Sequence, residues 1–232
     1  MAVATLRAFS ARLMLWGIHV VGLCLVATNT MLRRLACTFC LRPLSNCICP
    51  WVTTTISDLE VLILQHPLEV AQAKGTARLL HLSLPNSRMV TGEMFDASLF
   101  NSPRHSLLLY PEMPSDASMG LAMPPVLHPG WLTNPAQLRL VVIDGTWRKS
   151  RKMLYLNPAL QQMPRLALQD LPASTERRYS IRKAHKADQL STLEATCAAL
   201  AQLEGDPVKF EPLLAAFDGF VAQQAVFASK QP

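Results

Sequence analysis

Three groups of residues have the types and spacing that chemistry requires. Cys37, Cys40, Cys47 and Cys49 form C-x2-C-x6-C-x-C within thirteen residues, while Cys24 and Cys197 stand apart. Four thiolates so close in sequence suit a tetrahedral zinc site that sulfur closes completely, and such a site is structural. Two disulfides are the alternative for a secreted chain, but nothing else here is disulfide-dense. At Asp144-Gly145-Thr146-Trp147 a carboxylate, a hydroxyl and an aromatic ring surround a glycine. Two readings of it stand: a helix cap with a buried tryptophan, or an acid and an aromatic plate facing a cationic or heteroaromatic ligand. To this second, acidic group Gln65-His66-Pro67-Leu68-Glu69 adds another acid near an imidazole, and His66 is either a structural histidine or one that orients ligand or base. The third group is basic. Between Trp147 and Lys186 ten Lys/Arg stand against two acids, Asp170 and Glu176, in a chain of formal charge +6. A concentrated cationic segment suits a polyanion, most often nucleic acid; a solvated surface is the plainer reading.

These residues need a scaffold, and the composition supplies one. The 232 residues are 50% hydrophobic and 16% charged, enough for a core and the opposite of a disordered composition. G-x-G-x-x-G and G-x-x-x-x-G-K-[ST] are both absent, which excludes a dinucleotide fingerprint and a P-loop. At the amino end Arg7 and Arg12 precede a 15-residue apolar run, Leu13 to Ala27, and the first acid is Asp58. That pattern is like a secretory signal, but it is short for a membrane span and lacks a small-x-small cleavage site. Residues 1–30 are read as an extension ahead of a start at Met31 or Met14, with an amphipathic targeting helix as the alternative.

Apolar runs at 59–65, 87–91, 106–110, 138–143 and 166–168 predict strands. Segments 69–82, 148–156, 191–203 and 212–227 predict helices, the third opened by the capping box Ser191-Thr192-Leu193-Glu194. Residues 111–135, rich in Pro, Met and Gly, predict a long loop, and Cys197 is expected to fill core space. Strands alternating with helices imply an α/β fold with a largely parallel sheet covered on both faces. The ligand crevice then lies beyond the strand carboxyl ends, where His66, Glu69, Asp144, Thr146 and Trp147 are expected as neighbours in one cleft.

Seven blocks in order carry a resemblance. They are the cysteine knuckle, Gln65-His66-Pro67-Leu68-Glu69, Gly75-Thr76-Ala77-Arg78-Leu79-Leu80, Leu109-Tyr110-Pro111, Asp144 through Met153, Tyr179-Ser180-Ile181-Arg182 and Leu190 through Ala195. From about Leu35 to Phe227 the chain resembles the DTW-domain family of tRNA-uridine aminocarboxypropyltransferases, named for its D-x-T-W signature. It departs from the family pattern at Lys74-Gly75-Thr76, where Lys-Asn-Thr is expected. The resemblance implies a SPOUT-like, knotted α/β fold with S-adenosylmethionine as donor. It implies transfer of the 3-amino-3-carboxypropyl group to N3 of a uridine in the tRNA variable loop, with release of 5′-methylthioadenosine. It divides the chain into the extension 1–30, a zinc-binding knuckle over 31–56 and a catalytic domain over 57–232.

That reaction needs a carboxylate to take the N3 proton; Asp144 is the candidate and Glu69 the runner-up. His66, Tyr110, Pro111, Thr146, Trp147, Ser191, Thr192 and Glu194 are the expected donor-binding residues. Arg148, Lys149, Arg151, Lys152 and Arg182 are expected to meet tRNA phosphates. Trp147 or Tyr179 is expected to stack on the target base, although burial of Trp147 in the core fits the pattern equally. The expected setting is a cytoplasmic monomer with tRNA as partner and no membrane attachment. A methyltransferase of the same fold and a non-catalytic zinc-knuckle RNA-binding protein are the rival readings.

Overall fold

The computed structural model describes residues 35–111, 123–169 and 190–229. The extension 1–30 and the expected site residues Tyr179 and Arg182 lie outside the described residues. In chain order the main elements are β1 (Glu60–Gln65), α1 (Ala77–Ser83), β2 (Ser87–Thr91), β3 (His105–Leu109), β4 (Leu138–Asp144), α2 (Trp147–Leu156), α3 (Pro158–Gln161), β5 (Arg165–Leu166), α4 (Thr192–Glu204) and α5 (Glu211–Ser229). The five strands form one parallel sheet in the order β2-β1-β4-β3-β5.

Alternation along the strands explains the two layers of helix. Val61, Ile63, Leu107, Leu140 and Val142 point to one face, where they pack with Leu79 and Leu80 of α1, Leu193, Cys197 and Leu200 of α4, and Leu213, Phe217 and Phe220 of α5. Leu62, Leu64, Leu108, Val141 and Ile143 point to the other, against Met153 and Leu154 of α2 and Leu160 of α3. All seven residues of β4 are buried, as a central parallel strand requires. The capping box forms as read: Ser191 Oγ accepts from Glu194 N at 3.2 Å, and Glu194 Oε2 accepts from Ser191 N at 2.9 Å. Gly205 closes the other end of α4 at φ 68°, the left-handed geometry that glycine adopts without strain.

Two elements differ from expectation. The helix expected over 69–82 starts only at Ala77, after a 3-10 turn at Pro67–Glu69. The cause is a tertiary contact, because the guanidinium of Arg42 donates to the carbonyls of Ala73 and Gly75, both at 2.6 Å. A helix running through 69–82 would use those acceptors internally. The last strand covers Arg165–Leu166 and ends before Leu168.

The cysteine segment is joined to this body. Cys40 and Ile48 belong to the same core cluster as α4 and α5. Asn46 exchanges hydrogen bonds with Gln224 at 2.7 and 3.2 Å, and Gln223 Nε2 donates to the Cys47 carbonyl at 3.0 Å. Trp51 donates its indole N–H to Gln223 and packs on Gly219, where a Cβ would fall inside van der Waals contact with the ring.

Candidate active site

The carboxyl ends of β3, β4 and β5 open into a cleft of about 690 Å3. It is lined by Leu109, Tyr110 and Pro111 at the end of β3, Val142 and Ile143 of β4, and Leu166, Ala167 and Leu168 at and beyond β5. Gly145 and Thr146 lead into α2, whose first residues Trp147 and Arg148 also line the cleft, and Leu190 and Ser191 lead into α4, which contributes Thr192. The expected donor residues Tyr110, Pro111, Thr146, Trp147, Ser191 and Thr192 therefore meet in one place, although up to 82 positions separate them in sequence.

Trp147 does not sit in the core. It is 46% exposed at the mouth of the cleft, edge to face with Tyr110 at 5.9 Å between ring centroids. Tyr110 is buried, and on its ring rests the guanidinium of Arg165 at 5.2 Å. Arg165 also donates to the Pro111 carbonyl at 3.4 Å, so it fixes the Tyr110–Pro111 corner. It escaped sequence analysis because a single Arg before an apolar run carries no local signal.

Asp144 lies one layer behind the cleft. Its neighbours Ile143, Gly145 and Thr146 line the wall, and Asp144 does not. Its carboxylate is held from both sides: Thr192 Oγ1 donates to Oδ1 at 2.6 Å, and Gln65 Nε2 donates to Oδ2 at 3.0 Å. Burial pushes the Asp144 carboxyl above its ordinary value, and the hydrogen bonds from Thr192 and Gln65 only partly offset that. Gln65 enters because β1 pairs with β4 in a register that sets Gln65 beside Asp144.

The same register separates His66 and Glu69 from the cleft. β1 flanks β4 on the side away from β3 and β5, so His66 turns to Glu93 beyond β2 and Glu69 to Lys149 of α2. His66 is buried; its Nδ1 accepts from Leu68 N at 3.1 Å, which leaves the proton on Nε2 for Glu93 Oε1 at 2.7 Å. Glu69 receives Lys149 Nζ at 2.6 Å, and Glu93 receives Lys152 Nζ at 2.6 Å. The Lys152 and His66 hydrogen bonds hold the Glu93 carboxyl below its ordinary value. Thus Glu69 and Glu93 pair with Lys149 and Lys152 of α2; Lys152 is exposed in spite of its partner, Arg148 is exposed, and Arg151 is half-buried. Glu194 is buried in the capping box and also stands outside the cleft wall.

The four cysteine sulfurs lie within 4.8 Å of one another, with Cys37–Cys49 at 3.6 Å and Cys40–Cys47 at 3.7 Å. Those separations are far too long for disulfides. They match the edge of a tetrahedron of sulfurs around an ion at the ~2.3 Å zinc–sulfur distance, roughly 3.8 Å. The backbone amides of Cys40 and Phe39 and the Cys49 thiol hold Cys37 down at about 6, whereas burial and the neighbouring thiols push Cys49 up to about 12. Four thiolates cannot coexist here without a cation, and the donor set fits a thiophilic divalent one.

Comparison with known proteins decides the family. The DTW domain matches residues 34–225. The chain belongs to the DTW-domain family. It is 31% identical over 188 residues to "tRNA-uridine aminocarboxypropyltransferase 2" of Drosophila melanogaster, covering 75% of this chain and 69% of that protein. It is 30% identical over 192 residues to the Mus musculus protein of the same name, covering 78% and 61%. It is 28% identical over 134 residues to "tRNA-uridine aminocarboxypropyltransferase A" of Arabidopsis thaliana, covering 53% and 51%. The chain thus spans about half to two thirds of the length of these relatives. No solved structure matches it. Among the described residues no helix is long and apolar enough to cross a membrane.

Proposed function

We propose that this DTW protein transfers the 3-amino-3-carboxypropyl group of S-adenosylmethionine to N3 of a uridine in tRNA, in the variable loop as the sequence resemblance implies. The observation that carries the reading is the position of Thr146 and Trp147 on the wall of a 690 Å3 cleft with the Asp144 carboxylate directly behind it. S-adenosylmethionine supplies a γ-carbon activated by a sulfonium and departs as 5′-methylthioadenosine.

The residues of the chain divide the remaining work. Leu109, Tyr110, Leu166 and Leu168 offer apolar walls to a heteroaromatic ring. Ser191 and Thr192 bring the amino end of α4 to the cleft, a place suited to the donor carboxylate. Holding the γ-carbon, not the methyl, toward the nucleophile is a matter of orientation by these walls. The uridine N3–H must lose its proton as the new bond forms, and Asp144 receives it. Because Asp144 stands behind Thr192, the proton passes from N3 to the Thr192 hydroxyl while the hydroxyl proton moves to Asp144 Oδ1. Gln65 keeps Oδ2 in place. Arg148, Arg151 and Lys152 meet tRNA phosphates, and Lys149, bound to Glu69, fixes the helix that presents them. Cys37, Cys40, Cys47 and Cys49 would hold a structural zinc ion.

A SPOUT-like knotted chain path belongs to the same reading. In its support, β4 is inserted between β1 and β3, and Thr192 of α4 is bonded to Asp144 at the end of β4. A cytoplasmic monomer is the setting this reading implies.

The test uses the purified protein, unmodified tRNA and two batches of S-adenosylmethionine, one labelled in the methionine carbon chain and one in the methyl group. Label reaching tRNA from the carbon chain alone is the expected result. Label from the methyl alone makes the protein a methyltransferase. No label from either, with tRNA bound, leaves an RNA-binding module.

A further inference from the structure

We infer that Tyr155 is a stacking platform for an unpaired base of the RNA substrate, beside the base that enters the cleft. The inference rests on the reading of the cleft as the site of a tRNA-modifying reaction and names how the RNA is held on its way in. Tyr155 lies on α2 and is 60% exposed, although an aromatic ring of its size is normally covered. Helical geometry places it on one face with Arg148, Arg151 and Lys152, which lie seven, four and three positions earlier. These four residues line a shallow groove of about 380 Å3, and Arg148 is shared with the wall of the main cleft.

An exposed ring set among guanidinium and ammonium groups is the combination that binds single-stranded nucleic acid. The cations follow the backbone, and the ring stacks on whichever base is presented. A protein partner would instead be met by an apolar patch, and the neighbours of Tyr155 in the groove are all cationic. The spacing fits a short stretch of strand. From Arg148 to Tyr155 the rise is about 10 Å along the helix axis, which corresponds to about three stacked nucleotides. The base on Tyr155 is therefore within about three nucleotides of the target uridine. The opposite face of α2, with Ser150, Met153 and Leu154, is buried against the sheet, so the platform is rigidly mounted. Asn157 Nδ2 donates to the Glu93 carbonyl at 2.8 Å just beyond it, which fixes the end of the helix.

The experiment uses single-stranded RNA oligonucleotides with one central uridine and 2-aminopurine one, two or three nucleotides to either side, bound to the full chain. Quenching of 2-aminopurine at one of these positions is expected with the wild-type protein. Tyr155→Ala should abolish that quenching and weaken binding of unmodified tRNA roughly ten-fold, while Tyr155→Phe retains both. The melting temperature and the affinity for S-adenosylmethionine should be unchanged in either variant, because the ring is exposed and outside the cleft wall. Quenching that survives Tyr155→Ala, quenching lost equally in Tyr155→Phe, or no quenching at any position overturns the inference. Carbon-chain transfer by the wild-type protein is measured in parallel. Its absence beside intact, Tyr155-dependent quenching would sink the transferase reading and leave the platform standing.

Discussion

Thr192 donates its hydroxyl hydrogen to Asp144 Oδ1 across 2.6 Å, joining the first turn of α4 to the last residue of β4 over 48 positions of sequence. One of these residues lines the cleft and the other does not. The acid is thereby kept away from water while remaining one hydroxyl from the cleft. Burial of this kind raises the basicity of a carboxylate, and the bridging hydroxyl restores access to it.

Thr192→Val keeps the shape of the side chain and removes the hydroxyl. Oδ1 of Asp144 then loses its donor inside the protein, at a cost of about 1–3 kcal/mol. Turnover at saturating donor should fall at least ~100-fold, and Thr192→Ser should recover most of it. Steady-state kinetics and thermal melting of the two variants check this. Turnover unchanged in the valine variant would reject the relay.

The pH dependence follows from the sign of the Asp144 shift. A base must be ionised, so kcat/KM should rise with pH through a pKa above the ordinary carboxylate value, and Asp144→Asn should remove that limb. Stability runs the other way. An acid whose folded pKa is raised favours the fold in its neutral form, so its contribution is complete at acidic pH and is lost as pH rises through the folded value. Denaturant melts across that range should show the loss in the wild-type protein and its absence in Asp144→Asn.

Zinc removal should act on the whole fold. Cys40 and Ile48 are core residues, and Arg42, between Cys40 and Cys47, holds the Ala73 and Gly75 carbonyls that precede α1. About one zinc ion per chain is expected, released by a thiol-reactive agent together with a lower melting temperature. Metal analysis and calorimetry on Cys40→Ser make the same test. Absence of zinc with unchanged melting would leave the cysteines without a structural ion.

Gly219 lies inside α5, where alanine would ordinarily stabilise a helix by roughly 1 kcal/mol. Here a Cβ collides with the Trp51 ring, and overpacking costs about 1–3 kcal/mol. Gly219→Ala should therefore destabilise the protein in denaturant titration. A stabilised variant would show that Trp51 is not docked on α5.

Arg151 stands on α2 outside the cleft wall. Arg151→Glu should weaken tRNA binding, reduce its salt dependence by roughly one to two charges and leave donor affinity unchanged. Equal loss of tRNA and donor binding would mean that the variant disturbs the fold and not the contact.

Chemistry confined to neighbouring residues was legible in the sequence. The Ser191–Glu194 capping box, the buried run of β4 and the four cysteines are each written within a few residues, because local hydrogen bonds, strand alternation and ligand spacing need no distant partner. Tertiary structure alone decided who stands at the cleft. The order β2-β1-β4-β3-β5 sends His66 and Glu69 to Glu93 and Lys149 on one side of β4, and opens the cleft on the other. Long-range contacts also set Trp147 at the mouth instead of the core, delayed the expected helix to Ala77 through Arg42, and placed Asp144 behind Thr192. Strand order is the outcome of non-local pairing, in which burial of one long-range neighbour competes with another, and no spacing along a single chain records which of them wins.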